Sequence, residues 1–352
     1  MANLKSRNSS IEFIRILSMI FVIAYHWQLH AYGHSIWNSP ISANQIFSFA
    51  IGSWGSLGVD LFFIIFAYFQ INKRSIKLNR IMSIIIKVSF YGTVVLLLAN
   101  VMGIEKFSFI ETIKSIGGVF LYQYWFLTVY LIIYIASPAL NRIINELSLK
   151  YLSILLDVLI YATYFISFAF GNEILGRTAC GFVIYLLVGF VEKYPKFNYF
   201  NKFKVLGIFS LVIVLLFEIV CSYIGTYNYP IFFKLINRVQ ITQSPVMLIC
   251  AMLLFYQIKN WNIKTNVVLN FLGRYSVGAY LLHGGSGFLK NYVWDDLFNG
   301  AYYYQCAPYV YIFHYVLSVF LMFAVGVICE FVYVHTIDKL VLNKVSGEDI
   351  SI

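Results

Sequence analysis

Arg15 and His26 lie eleven residues apart within one apolar segment, 11–29 (IEFIRILSMIFVIAYHWQL). Eleven positions make about three helical turns, so both side chains share one face, roughly 16 Å apart along the axis. A guanidinium and an imidazole are costly in a lipid-buried segment, and ionisable groups there are functional candidates. Imidazole titrates near neutrality and can take a proton from a hydroxyl attacking a carbonyl. An arginine fork suits phosphates or a polarised carbonyl.

What must position this pair is a membrane bundle. The 352 residues are 61% hydrophobic and only 11% charged, against about 25% charged in soluble domains. A window of roughly twenty apolar residues marks ten spans: 11–29, 56–72, 81–101, 119–140, 151–170, 178–192, 204–223, 241–258, 266–285 and 309–334. The expected fold is all-α, a polytopic bundle of about ten transmembrane helices. Residues 1–335 form a single domain and 336–352 a short cytoplasmic tail. The first span carries Arg15 and His26 and no A-x-A pattern, so it is read as retained. Five scattered cysteines without CxxC spacing read as buried thiols, and no metal site is expected.

Charge orients the chain. With both termini cytoplasmic, only Lys106, Lys114, Arg177, Lys234, Arg238 and Lys290 of the 25 Lys and Arg fall outside, as the positive-inside rule requires. Topology thus accounts for the net charge of +10, with anionic membrane lipid as a partner and no nucleic acid. The loop 30–55, with His30, His34, Trp37 and Trp54, faces outward as an aromatic cap or a polar entrance.

On this topology His26, Asp60, Trp125 and His283 come to similar depth in the outer half. Arg15, Arg274 and Ser276 lie in the inner half beside the basic loop 73–80 (Lys73, Arg74, Lys77, Arg80). A carboxylate beside an imidazole could fix its tautomer, as in a catalytic triad. Bland readings stand beside these. A lone intramembrane histidine also serves as a helix–helix hydrogen-bond partner, Asp60 fits a helix start, and Arg15 fits snorkelling to the interface. Lys87 suits a phosphate or snorkels, and Glu218, Asp157 and Glu330 are candidates for pairing across helices.

Four stretches resemble the acyltransferase 3 family of membrane acyltransferases: the Arg15-x10-His26 pattern, LGVDLFFIIFAYF (57–69), YWFLTVYL (124–131) and LGRYSVGAYLLH (272–283). They fall in the family's order and cover nearly the whole chain. Phe66 and Ala67 stand where the family usually has Ser-Gly. The resemblance implies transfer of an acyl group, usually acetyl from acetyl-CoA, to a sugar hydroxyl, with Arg15 and His26 essential. Arg15, Arg274, Lys73, Arg74, Lys77 and Arg80 would then meet the donor. Asp60, Trp125, His283 and Ser276 would support the acceptor side, a cell-surface or exopolysaccharide glycan that is free or lipid-linked. No SGNH-type domain is expected beyond the last span. The expected location is the cell membrane of a bacterium. A flippase for lipid-linked oligosaccharide and a polysaccharide polymerase are the other readings, although no paired repeats and no large outer loop are visible.

Overall fold

A computed structural model describes residues 7–30, 42–171, 175–225, 230–284, 292–338 and 349–351. The loop histidine and tryptophan at positions 34 and 37, the lysine at 290 and most of the expected tail lie outside the described residues.

The chain is a helical bundle. Its elements are α1 (Ser9–His30), α2 (Ala43–Ala50), α3 (Trp54–Gln70), β1 (Ser75–Lys77), α4 (Leu78–Val101), α5 (Phe109–Ile116), α6 (Trp125–Glu146), α7 (Leu149–Phe170), α8 (Gly176–Lys193), α9 (Gly207–Gly225), α10 (Pro230–Gln240), α11 (Pro245–Lys259), α12 (Val267–Tyr275), α13 (Val277–His283), α14 (Pro308–Tyr333) and β2 (Asp349–Ser351). Among the described residues seven helices are long and apolar enough to cross a membrane, or eight if the bent pair α10–α11 is one span. The other two expected spans are helical but differ in kind. Helix α8 has 18 residues, three of them charged. The segment expected at 266–285 breaks at Ser276 into α12 and α13. The outward faces of α4, α7, α9 and α14 are apolar, with Leu97, Val158, Phe209 and Phe320 exposed, as a lipid-facing surface must be. This is a multi-pass membrane protein.

Helix α1 is the hub, packing on α3, α11, α12, α13 and α14. Its approach to α3 is close: a Cβ on Gly58 would sit 2.6 Å from the Ser18 carbonyl oxygen. Small residues permit such contacts where van der Waals packing holds helices together. Ser9 and Ser10 Oγ accept from the Asn266 and Ile263 amides (2.8 and 2.9 Å), tying the start of α1 to the start of α12. We call this end of the bundle proximal.

Pro138 inside α6 removes the amide that would bond the Tyr134 carbonyl. Ser137 Oγ donates to that carbonyl instead, at 2.8 Å, and accepts from Gln70 Nε2 at 3.1 Å. Asn141 Nδ2 donates to the Gln70 and Lys73 carbonyls (3.0 and 2.7 Å). These bonds fix the turn between α3 and β1, while β1 pairs antiparallel with β2 near the C-terminus, Ile76 opposite Ile350. Part of the expected tail is therefore strand, returned to the basic loop.

Candidate functional site

One cavity of about 810 Å³ threads the bundle between α1, α3, α4, α6, α12 and α13. Helix α1 lines it with Arg15, Met19, Val22, His26 and His30, spaced three or four apart and hence on a single face. Seven cations line it: Arg7, Arg15, Lys77, Arg80, Lys87, Arg177 and Arg274; among the described lining residues there is no carboxylate.

At the proximal end, the buried Glu12 carboxylate bridges two arginines. Oε2 takes Arg15 Nη1 at 2.5 Å and Oε1 takes Arg7 Nη2 at 2.7 Å. The carboxylate and its backbone fit because residue 273 is glycine: a Cβ there would lie 2.4 Å from Glu12 Oε2. The Gly273-Arg274-x-Ser276 run of the sequence thus has separate jobs. Gly273 admits Glu12, Arg274 lines the cavity, and Ser276 Oγ donates to the Gly273 carbonyl at 3.0 Å where the helix breaks. Arg80 donates to Tyr130 Oη and lies over the Tyr134 ring at 4.9 Å. Lys77 and Arg80 line the cavity; Lys73 and Arg74 are exposed and do not, because the turn into β1 carries them away. Further along, Lys87 pairs with the buried Glu330 of α14, which also accepts from Tyr91 Oη at 3.1 Å.

At the distal end, His26 Nδ1 and His283 Nε2 are 2.8 Å apart. His283 Nδ1 bonds the Ala279 carbonyl oxygen, four residues earlier in α13. A carbonyl only accepts, so His283 carries its proton on Nδ1. Its Nε2 then accepts from His26 Nδ1, which leaves the lone pair of His26 on Nε2; the network assigns these tautomers. His283 is fully buried, edge-on to Trp294, and does not line the cavity. It stands behind His26 rather than beside an acceptor. Asp60 is likewise fully buried, and it too is absent from the lining. Neither of its oxygens has a hydrogen-bond partner among the described residues. It bonds neither histidine: His283 Nδ1 is held by the Ala279 carbonyl instead. Trp125 does line the cavity, with the Arg177 guanidinium 4.5 Å over its ring.

The arrangement joins a cationic compartment fit for polyphosphate to an imidazole whose basic nitrogen is set by two successive hydrogen bonds. Glu12, Arg7 and Arg177 were not singled out for the site from sequence. The i,i+3 spacing of Glu12 and Arg15 was the available signal, whereas Arg177 sits at a helix start with no motif around it. No curated protein and no solved structure matches the chain significantly. The family model for an acyltransferase domain matches residues 8–331. The chain therefore belongs to the acyltransferase 3 family of membrane acyltransferases.

Proposed function

We propose that the protein transfers an acetyl group from acetyl-CoA to a sugar hydroxyl of a cell-surface glycan, in a bacterial cell membrane with the proximal end cytoplasmic. The observation that carries this reading is the His26–His283 pair at the far end of a cavity whose near end is arginine-rich. The donor's phosphates meet Arg7, Arg15, Lys77, Arg80 and Arg274, where charge-assisted bonds are strongest. Its pantetheine arm runs along α1 toward His26. The roughly 16 Å between Arg15 and His26 is the distance that arm must bridge.

In the transfer step, His26 Nε2 takes the hydroxyl proton as the oxygen attacks the thioester carbonyl. The tetrahedral intermediate collapses with cleavage of the C–S bond, and His26 returns the proton to the departing thiolate. His283 Nε2 accepts from His26 Nδ1 throughout, so it stabilises the transient imidazolium. The supply of charge supports this scheme: Arg7, Arg15, Lys77, Arg80 and Arg274 serve the donor end, and Arg177 is the cation assigned to the acceptor side.

The test is CoA release and acetyl NMR of the glycan with purified protein in liposomes. His26→Ala and Arg15→Ala, each normally inserted, are expected to lose at least 100-fold in rate, in line with the 10²–10⁴-fold typical of general-base catalysis. Full activity in either variant sinks the mechanism.

A further inference from the structure

A second, smaller hollow lies at the distal end, outside the catalytic cavity. Phe170, Gly171, Phe233, Lys234, Asn237 and Arg238 line it. Two of these are cations on the side where the positive-inside rule disfavours them. Neither Lys234 nor Arg238 forms an ion pair among the described residues. Arg238 instead packs on the end of α7: its Cγ lies 3.7 Å from where a Cβ of Gly171 would be. The Phe233 ring is set against Phe49, centroids 5.4 Å apart.

One stretch of chain lines both the hollow and the cavity. Helix α10 carries Lys234, Asn237 and Arg238 on the hollow, and two and four residues later Gln240 and Thr242 line the cavity. Gln243 Nε2 then donates to the Gly176 carbonyl at 2.9 Å, beside Arg177. The stretch that leaves the hollow thus ends against the start of α8, whose Arg177 lies over Trp125 in the cavity.

We propose that this hollow docks the phosphate head of a lipid that carries the acceptor glycan, with Phe170 and Phe233 against its apolar chain. Lys234 and Arg238 hold the phosphate, Asn237 donates to it, and the attached sugar reaches past Gln240 and Thr242 toward His26. Lysine and arginine are the residues that bind phosphate by charge-assisted bonds, and a site near the interface lets the chain stay in the bilayer. The proposal rests on the acyltransferase reading for the glycan it delivers, not for the lipid phosphate it binds.

The test measures binding of farnesyl diphosphate to the detergent-solubilised protein, with farnesol, inorganic diphosphate and phosphatidylglycerol as comparators. The expected result is binding at least tenfold tighter for farnesyl diphosphate than for any comparator. Lys234→Gln with Arg238→Gln is expected to weaken it at least tenfold, and Lys234→Arg with Arg238→Lys to retain it. With the acceptor glycan supplied on its lipid, CoA release is expected to fall at least tenfold at low acceptor in the Gln double variant, with the KM for acetyl-CoA unchanged, and to be retained in the Arg/Lys exchange. Equal binding of inorganic diphosphate would reduce the hollow to a simple anion site, and equal binding of phosphatidylglycerol to a place for ordinary lipid. Either result, or unchanged affinity in the Gln variant, overturns the proposal. Wild-type protein that binds farnesyl diphosphate but releases no CoA when the acceptor glycan is also supplied would instead sink the acyltransfer chemistry and leave the docking site standing.

Discussion

His26 and His283 divide one task between them. His26 meets the cavity, and His283, buried behind it, passes on the constraint of the Ala279 carbonyl. The arrangement differs from a carboxylate-backed imidazole in that a backbone carbonyl, that of Ala279, holds the second histidine, so its effect lies in orientation, tautomer and hydrogen bonding to the imidazolium. Replacing His283 should then impair chemistry more than donor binding. His283→Ala is expected to lower kcat for CoA release about 100-fold, the low end of a general acid–base contribution. The KM for acetyl-CoA should stay within about twofold, since uniform binding is untouched. Steady-state kinetics on inserted protein provides the check; a loss confined to KM would remove His283 from the relay. His26 and His283 stood out in the sequence as candidates because polar residues are rare in apolar spans. Their contact was not legible, since they lie 257 residues apart.

At the scale of elements, helices are joined through polar pairs that hydrocarbon makes obligatory. Lys87 on α4 and Glu330 on α14 form such a pair, and Glu330 is nearly fully buried. Breaking a buried pair from one side leaves an uncompensated charge and costs about 3–5 kcal/mol, whereas removing both partners costs far less. Lys87→Met should therefore lower the thermal midpoint in detergent sharply, and Lys87→Met with Glu330→Gln should recover most of the loss. Additive losses would show that the two residues act separately. Gly273 sets the α1–α12 contact in a different way, by absence of a side chain. Gly273→Val drives a Cβ into Glu12 and is expected to destabilise the bundle by about 1–3 kcal/mol, the usual cost of overpacking. The same thermal assay reads it, and an unchanged midpoint would contradict the close approach seen here. Glu330 was readable in the sequence only as a residue in need of a partner. Lys87 became that partner through packing of α4 beside α14.

Over the whole molecule, the cavity carries seven cations and no carboxylate among its described lining residues. Such a field concentrates a polyanionic donor, and it is screened by salt over a Debye length of about 10 Å at 0.1 M. The KM for acetyl-CoA is expected to rise severalfold between 50 and 500 mM salt, with kcat nearly constant. Flat salt dependence would argue against phosphate recognition at the proximal end. The two ends of the molecule are unlike: Glu12 with Arg7 and Arg15 at one, the histidine pair and the α10 hollow at the other. That asymmetry suits the proposed division between a donor end and an acceptor end.

The sequence alone determined the helical membrane class and the Arg15–His26 face. It also yielded the order of the four motifs and the basic loop 73–80, all of which depend on local periodicity and on the cost of polar groups in apolar runs. It did not determine that 266–285 breaks at Ser276, that Lys73 and Arg74 turn away from the cavity, or that Asp60 stays off the cavity wall and bonds neither histidine. Nor did it show Glu12 held between Arg7 and Arg15. Those outcomes hang on rotation and approach of whole helices, set by contacts such as Gly58 on Ser18 and Gly273 on Glu12. A helix turned by one residue moves each side chain by 100°, so depth could be read from the chain, but facing was decided only when the helices packed.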